Sequence, residues 1–151
     1  MLSGCYIYSV DEKNRISVPT KFRKHLSDAF VLTKGPDGCL WMLPMMQWET
    51  ILSKSAGSVA IQRFFLASAT QCILGDKGRC LLPDNLRKHA DIKAGDEVAI
   101  VGLMNRIEIW SARRWEALCS QLTSERIQRE LPEFFDGSWM TDAAKDLTLN
   151  S

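Results

Sequence analysis

The chain has 151 residues, 46% of them hydrophobic and 25% charged, with a formal net charge of +1. This is enough for one compact domain or two small interdependent halves, and the composition excludes wholesale disorder. So small a net charge is not that of a protein that coats nucleic acid by bulk charge, and no apolar run reaches the roughly 18 residues of a membrane-spanning helix.

In chain order, Met1-Leu2-Ser3-Gly4-Cys5 lacks the basic and apolar regions of a signal peptide, so the expected location is cytoplasmic. The alternating segment Cys5–Val10 predicts a first strand. It enters the tight turn Asp11-Glu12-Lys13-Asn14-Arg15 and is expected to return through Arg15–Val18 as a hairpin. Pro19 ends that strand, and Thr20 is the expected cap of a short helix ending near His25. Phe30–Lys34 and Cys39–Leu43 flank Gly35-Pro36-Asp37-Gly38 and predict a second hairpin. Met45–Ser53 predicts a helix with Trp48, Ile51 and Leu52 on one face. Residues 58–67 predict a connecting helix.

The same series then recurs. An offset of 64 lays residues 13–25, KNRISVPTKFRKH, over residues 77–89, KGRCLLPDNLRKH. Lys13/Lys77, Arg15/Arg79, Pro19/Pro83, Arg23/Arg87, Lys24/Lys88 and His25/His89 are identical. Asn14 falls over Gly78, the two residue types that best tolerate a left-handed backbone, and Thr20 over Asp84, two good helix caps. An offset of 67 then aligns Gly35/Gly102, Trp48/Trp115 and Glu49/Glu116, which puts the extra residues of the second copy within Asp91–Glu97. The second copy reads as strands Cys72–Leu74 and Arg79–Leu82, then a helix from Asp84 to near His89. A hairpin of Val98–Gly102 and Arg106–Trp110 comes next, and the helix Ala112–Leu122, capped by Ser111, closes the copy. Residues 123–131 are expected to extend that helix, and the tail beyond Pro132 and Gly137 to be polar and mobile.

The organisation expected is a first repeat at 1–56, a connecting helix at 57–68, a second repeat at 69–122, and a C-terminal helix and polar tail at 123–151. Two hairpins alone leave sheet edges open and bury too little surface. The two copies are therefore expected to pair into one α+β, pseudo-twofold β-barrel with flanking helices.

The duplicated turn carries the chemistry. A rigid hairpin that presents Lys and Arg suits DNA: Lys neutralises phosphate, and Arg pairs bidentately with guanine in the major groove. Lys13, Asn14, Arg15, Lys77, Gly78 and Arg79 are the candidate DNA-binding residues, with Lys21, Arg23, Arg87 and Lys88 as candidate phosphate contacts. A single charged turn is usually just a solvated turn; its recurrence shifts the balance. His25 and His89 stand at helix ends and read as C-caps, not as metal ligands or acid–base groups. The tryptophans recur at helix-face and strand positions and read as core. The five cysteines are widely spaced with no Cys-x-x-Cys pair, so they read as small buried hydrophobes. No HExxH, GxSxG, P-loop or GxGxxG pattern occurs, and no enzyme, metal, cofactor or small-molecule ligand is expected.

Several motifs in order give a resemblance covering roughly Met1 to Trp115. They are Asp11-Glu12-Lys13-Asn14-Arg15 followed by Ile16-Ser17-Val18-Pro19, and Asp37-Gly38-Cys39-Leu40 leading to Pro44 and Trp48-Glu49. Gln62-Arg63-Phe64 with Ala67-Ser68-Ala69, then Lys77-Gly78-Arg79, then Val101-Gly102 and Asn105-Arg106-Ile107-Glu108-Ile109-Trp110 complete the series. The chain resembles the MraZ family of bacterial transcriptional regulators, which share the swapped-hairpin fold of AbrB-type DNA-binding proteins. The resemblance implies a ring-forming, nucleoid-associated homo-oligomer. It implies binding to direct repeats in double-stranded DNA upstream of its own division and cell-wall operon, with repression as the usual outcome. It also implies that two DxxxR motifs face DNA, with Asp11 bracing the first. Here the second motif has Gly75 where its Asp is expected, so the Arg79 turn is expected to be less preorganised and the weaker reader. An AbrB-like antitoxin or interaction module, whose main partner is a protein, is the alternative.

Overall fold

Three prolines set where the chain changes direction in the computed structural model, which describes residues 1–134. Pro19, Pro44 and Pro83 precede helices α1 (Thr20–Leu26), α2 (Met45–Ser55) and α4 (Asp84–Ala90). Proline has no N–H to donate to a ladder, and its ring fixes φ near the value a helix needs. At all three starts proline, not a hydroxyl or carboxylate, occupies the cap position and no side chain bonds the first turn. This corrects the expected capping by Thr20 and Asp84: each is the first helical residue. Ser111 does cap, its Oγ accepting the Arg114 N–H at 3.2 Å.

The strands are β1 (Leu2–Ser9), β2 (Arg15–Ser17), β3 (Phe30–Lys34), β4 (Leu40–Pro44), β5 (Thr70–Cys72), β6 (Arg79–Leu81), β7 (Glu97–Met104) and β8 (Arg106–Ser111). The hairpins β3–β4 and β7–β8 form as expected, but β1 does not pair with β2. Instead β1 lies antiparallel to β7 over its whole length, from Leu2 opposite Met104 to Ser9 opposite Glu97. In the same way β5 of the second copy pairs with β3 of the first. The physical reason is length: β7 offers eight residues to the eight of β1, whereas β2 has three. The result is a six-stranded antiparallel sheet in the order β1-β7-β8-β4-β3-β5, with β2 and β6 forming a separate two-stranded ladder. Among the described residues no closed barrel forms, because the outer strands β1 and β5 do not bond each other and the short β2 and β6 pair only with one another.

The registers obey the repeat. Trp41 faces Glu108 at the centre of the β4–β8 ladder, and Ile16 faces Cys80 at the centre of the β2–β6 ladder. Each pair consists of the two residues that the sequence offsets equate. The core obeys the same rule: Ile16, Val18, Phe22 and Leu26 are buried in one cluster with their counterparts Cys80, Leu82, Leu86 and Ala90. Neither copy can keep that cluster dry without the other.

The connecting segment is a short helix, α3 (Val59–Ile61), continued by a π-helical turn, Gln62–Leu66, closed by the Ala67 N–H on the Gln62 carbonyl. It places Phe65 in a second buried cluster with Val31, Leu43 and Trp48, and its carbonyl accepts the Thr33 hydroxyl at 2.7 Å. Cys39 and Cys80 are buried, but Cys5 and Cys119 are exposed, which corrects the reading of every cysteine as a core residue.

The chain divides into two compact units, Met1–Trp115 and Glu116 onward. Helix α5 (Ala112–Ser120) begins in the first. In the second, a separate helix α6 (Ser124–Phe134) starts on Thr123, whose hydroxyl accepts the Arg126 N–H, and it runs through Pro132. The expected mobile tail otherwise lies outside the described residues. No helix among them is long and apolar enough to cross a membrane.

Candidate nucleic-acid interface

The two turns close with the same backbone bonds. In the first, the Asp11 N–H donates to the Arg15 carbonyl at 2.9 Å and the Asn14 N–H to the Asp11 carbonyl at 3.0 Å. In the second, Gly75 donates to Arg79 at 2.9 Å and Gly78 to Gly75 at 3.1 Å. Both loops need a left-handed residue at the fourth position, met by Asn14 at φ 62° and Gly78 at φ 68°. The second turn adds a less favourable one, Lys77 at φ 61°.

Each turn is tied to the opposite copy. The Val18 N–H donates to the Gly78 carbonyl and the Leu82 N–H to the Asn14 carbonyl, both at 2.9 Å. The β2–β6 ladder brings the turns together as one ribbon. Its inward residues, Ile16 and Cys80, are buried, whereas Arg15, Ser17, Arg79 and Leu81 stand outward. Lys13 and Lys77 are exposed beside them.

Asp11 organises the first turn. Its Oδ1 accepts the backbone N–H groups of Lys13 at 2.8 Å and Arg15 at 2.9 Å, and its Oδ2 accepts Arg15 Nε at 2.9 Å. The Arg15 backbone N–H, assisted by its guanidinium, holds the Asp11 carboxyl below the usual carboxylate range despite some desolvation. Gly75 supplies no such group to the second turn. Arg79 Nε reaches only the Asp76 carbonyl, at 3.4 Å, but its Nη1 lies 4.0 Å from Asp11 Oδ2. The two arginines therefore converge on one carboxylate, a contact that the 64-residue offset alone does not announce.

The four candidate phosphate contacts occupy two kinds of place. Lys21 and Lys88 are exposed, Lys88 within 3.2 Å of Asp84. Arg23 and Arg87 are half-buried, and their Nε atoms donate at 2.8 Å to equivalent carbonyls, Val18 and Leu82. Arg23 goes further: its Nη2 donates to the Lys77 carbonyl at 3.1 Å, and its guanidinium packs where a Cβ on Gly78 would stand. Asn14 carries a Cβ at the related position, and Arg87 turns instead to Asp84, 3.6 Å away.

Neither histidine bonds a carbonyl at the end of its own helix, contrary to the expected C-capping. His89 Nε2 donates to the Gly35 carbonyl at 2.8 Å, joining the second copy to the first, and its ring meets Phe64 edge-on. His25 Nε2 accepts from the Met1 amino group at 3.4 Å, and desolvation together with that neighbouring charge lowers its pKa. The helices instead end on residues of positive φ, Ser27 and the left-handed Asp91. Ser17 and Leu81, which stand outward on the same ribbon, were not among the expected site residues. The alternation of buried and exposed positions along these strands was the signal available for both.

The family model described as "MraZ protein, putative antitoxin-like" matches residues 1–62 and 65–133. Among curated relatives, a "Transcriptional regulator MraZ" of Natranaerobius thermophilus is 39% identical over 143 residues, covering 89% of this chain and 99% of that protein. One of Moorella thermoacetica is 40% identical over 132 residues, covering 83% and 91%. One of Alkaliphilus metalliredigens is 42% identical over 122 residues, covering 76% and 84%.

Proposed function

The chain belongs to the MraZ family, and from that premise we propose that it is a sequence-specific DNA-binding transcriptional regulator whose reading surface is the paired turn. It is a regulator and not an enzyme, as its relatives' names imply. One observation carries the site assignment: Arg15 and Arg79, from different copies, meet on Asp11 at the outer face of one ribbon, flanked by exposed Lys13 and Lys77. A two-stranded ribbon fits the major groove, where Arg pairs with guanine O6 and N7. Lys13 and Lys77 neutralise phosphates, aided by Lys21 and Lys88, while Asn14 and Gly78 set the bends. Arg23 and Arg87 chiefly hold the turns and add charge behind them.

The fold that supports this is of the swapped-hairpin type, a reading supported by the exchange of β1 and β5 between the copies. Two small basic turns release few counterions, so a single protomer binds weakly. Tight binding then comes from a homo-oligomer, a ring, engaging direct repeats upstream of its own division and cell-wall operon in the nucleoid and repressing it. The words "antitoxin-like" in the family description favour one competitor, a module whose main partner is a protein. A stoichiometric protein partner in a pull-down would support that competitor.

The test is a gel shift with the DNA upstream of this protein's own gene. The double variant Arg15→Ala/Arg79→Ala should lose at least about 30-fold in affinity, since each bidentate pair contributes roughly 1–3 kcal/mol. Undiminished binding would sink the assignment.

A further inference from the structure

We infer that Asp11 is a positioning residue for both arginines, so that the two turns work as one coupled reader hung on a single carboxylate. The inference rests on the DNA-binding reading of the turns and concerns how that site is built.

The DxxxR motif of the family gives each arginine its own aspartate, but the second copy here has Gly75 in that place. The backbone bonds of the Gly75–Arg79 turn form without the carboxylate, so the loop's shape does not depend on it. What the second turn lacks is an acceptor to aim Arg79. Its bond to the Asp76 carbonyl, at 3.4 Å, is near the limit for a hydrogen bond. Asp11 Oδ2 lies within ion-pair reach of Arg79 Nη1 at 4.0 Å and accepts Arg15 Nε at 2.9 Å. The side chains of Asp11, Arg15 and Arg79 are each about one-third exposed, so this triad adds little to stability in free solution. Its role is geometric. One negative charge between two positive ones lets the guanidinium groups stand close together and fixes both against the ribbon. When DNA covers the site and excludes water, the same charges interact more strongly.

The consequence has a sign that bulk electrostatics does not share. Asp11→Asn removes a negative charge from a surface that faces phosphate, which by charge alone tightens binding. Positioning predicts the reverse. The amide oxygen still accepts the Lys13 and Arg15 backbone N–H groups, so the turn keeps its shape, but both guanidinium groups lose their anchor. Gly75→Asp is a matched rescue. Gly75 has an ordinary φ of −79°, and a Cβ there meets nothing nearer than the Arg79 carbonyl at 3.6 Å.

The experiment is fluorescence anisotropy with a duplex of the gene's upstream region and the full chain, with thermal melting to confirm folding. Asp11→Asn should weaken binding about tenfold with little change in melting. Arg79→Ala should cost less in the Asp11→Asn background than in the wild type. Gly75→Asp in that background should recover part of the affinity, and the recovery should vanish when Arg79 is alanine. If Asp11→Asn binds as well as wild type or tighter while Arg15→Ala/Arg79→Ala abolishes binding, the shared anchor is wrong and the DNA-binding site stands. Strict additivity of Asp11→Asn and Arg79→Ala would also overturn it. If Arg15→Ala/Arg79→Ala binds as wild type does, the reading beneath it falls as well.

Discussion

Gly78 and Asn14 meet the same demand, a left-handed residue at the fourth position of the turn, in unequal ways. Asn14 meets it with a side chain, and glycine meets it while leaving a space that the Arg23 guanidinium fills. The exchange of Asn for Gly between copies therefore governs what the supporting arginines do: Arg23 crosses to the Lys77 carbonyl, and Arg87 stays with Asp84. Gly78→Ala should cost about 1–3 kcal/mol, from the strained φ together with displacement of Arg23. Asn14→Ala, which disturbs no such packing, should cost less, and urea unfolding of the two variants checks the order. At this scale much of the site was legible. The left-handed positions and the paired arginines arise from residue type and spacing, whereas a bracing role for Asp11 was implied only by the family resemblance. The reach of Asp11 to Arg79 was not legible, because the offset sets Arg79 against Gly75 and only the cross-copy ladder brings the carboxylate back.

At the scale of elements, the alternation in Cys5–Val10 announces a strand but says nothing of its partner. A hairpin with the next segment was the local solution; the eight-residue match with β7 overrode it. The strand β1 approaches β7 so closely at Gly102 that a Cβ there would stand 2.7 Å from the Ser3 backbone nitrogen and 2.9 Å from Phe22 Cζ. Gly102→Ala should therefore destabilise the fold by about 1–3 kcal/mol, seen as a lower melting temperature. Insensitivity to the change would mean that β1 has room to move away. The prolines, the two conventional hairpins and the helices were readable because each depends on local chemistry. The expected barrel failed for a different reason: closure depends on ladder lengths that exceed what the three-residue β2 and β6 can supply.

For the unit Met1–Trp115 as a whole, duplication has given one structure instead of two. Strands are exchanged, the core packs Ile16, Val18, Phe22 and Leu26 with their counterparts, and the two basic turns end as neighbours on one ribbon. The symmetry is kept by the charges, Lys13/Lys77 and Arg15/Arg79, and broken by Asp11/Gly75 and Ser17/Leu81. If the ribbon reads DNA as proposed, this asymmetry gives it a direction, which suits direct repeats better than palindromes. The most direct measurement places a photo-crosslinking residue at Lys13 or at Lys77, with exposed Lys54 on α2 as the control position, and irradiates each protein bound to the upstream DNA. Crosslinks from both turn positions to neighbouring nucleotides of one short site, with none from position 54, are the predicted result. Bound DNA that crosslinks at neither turn would contradict the account.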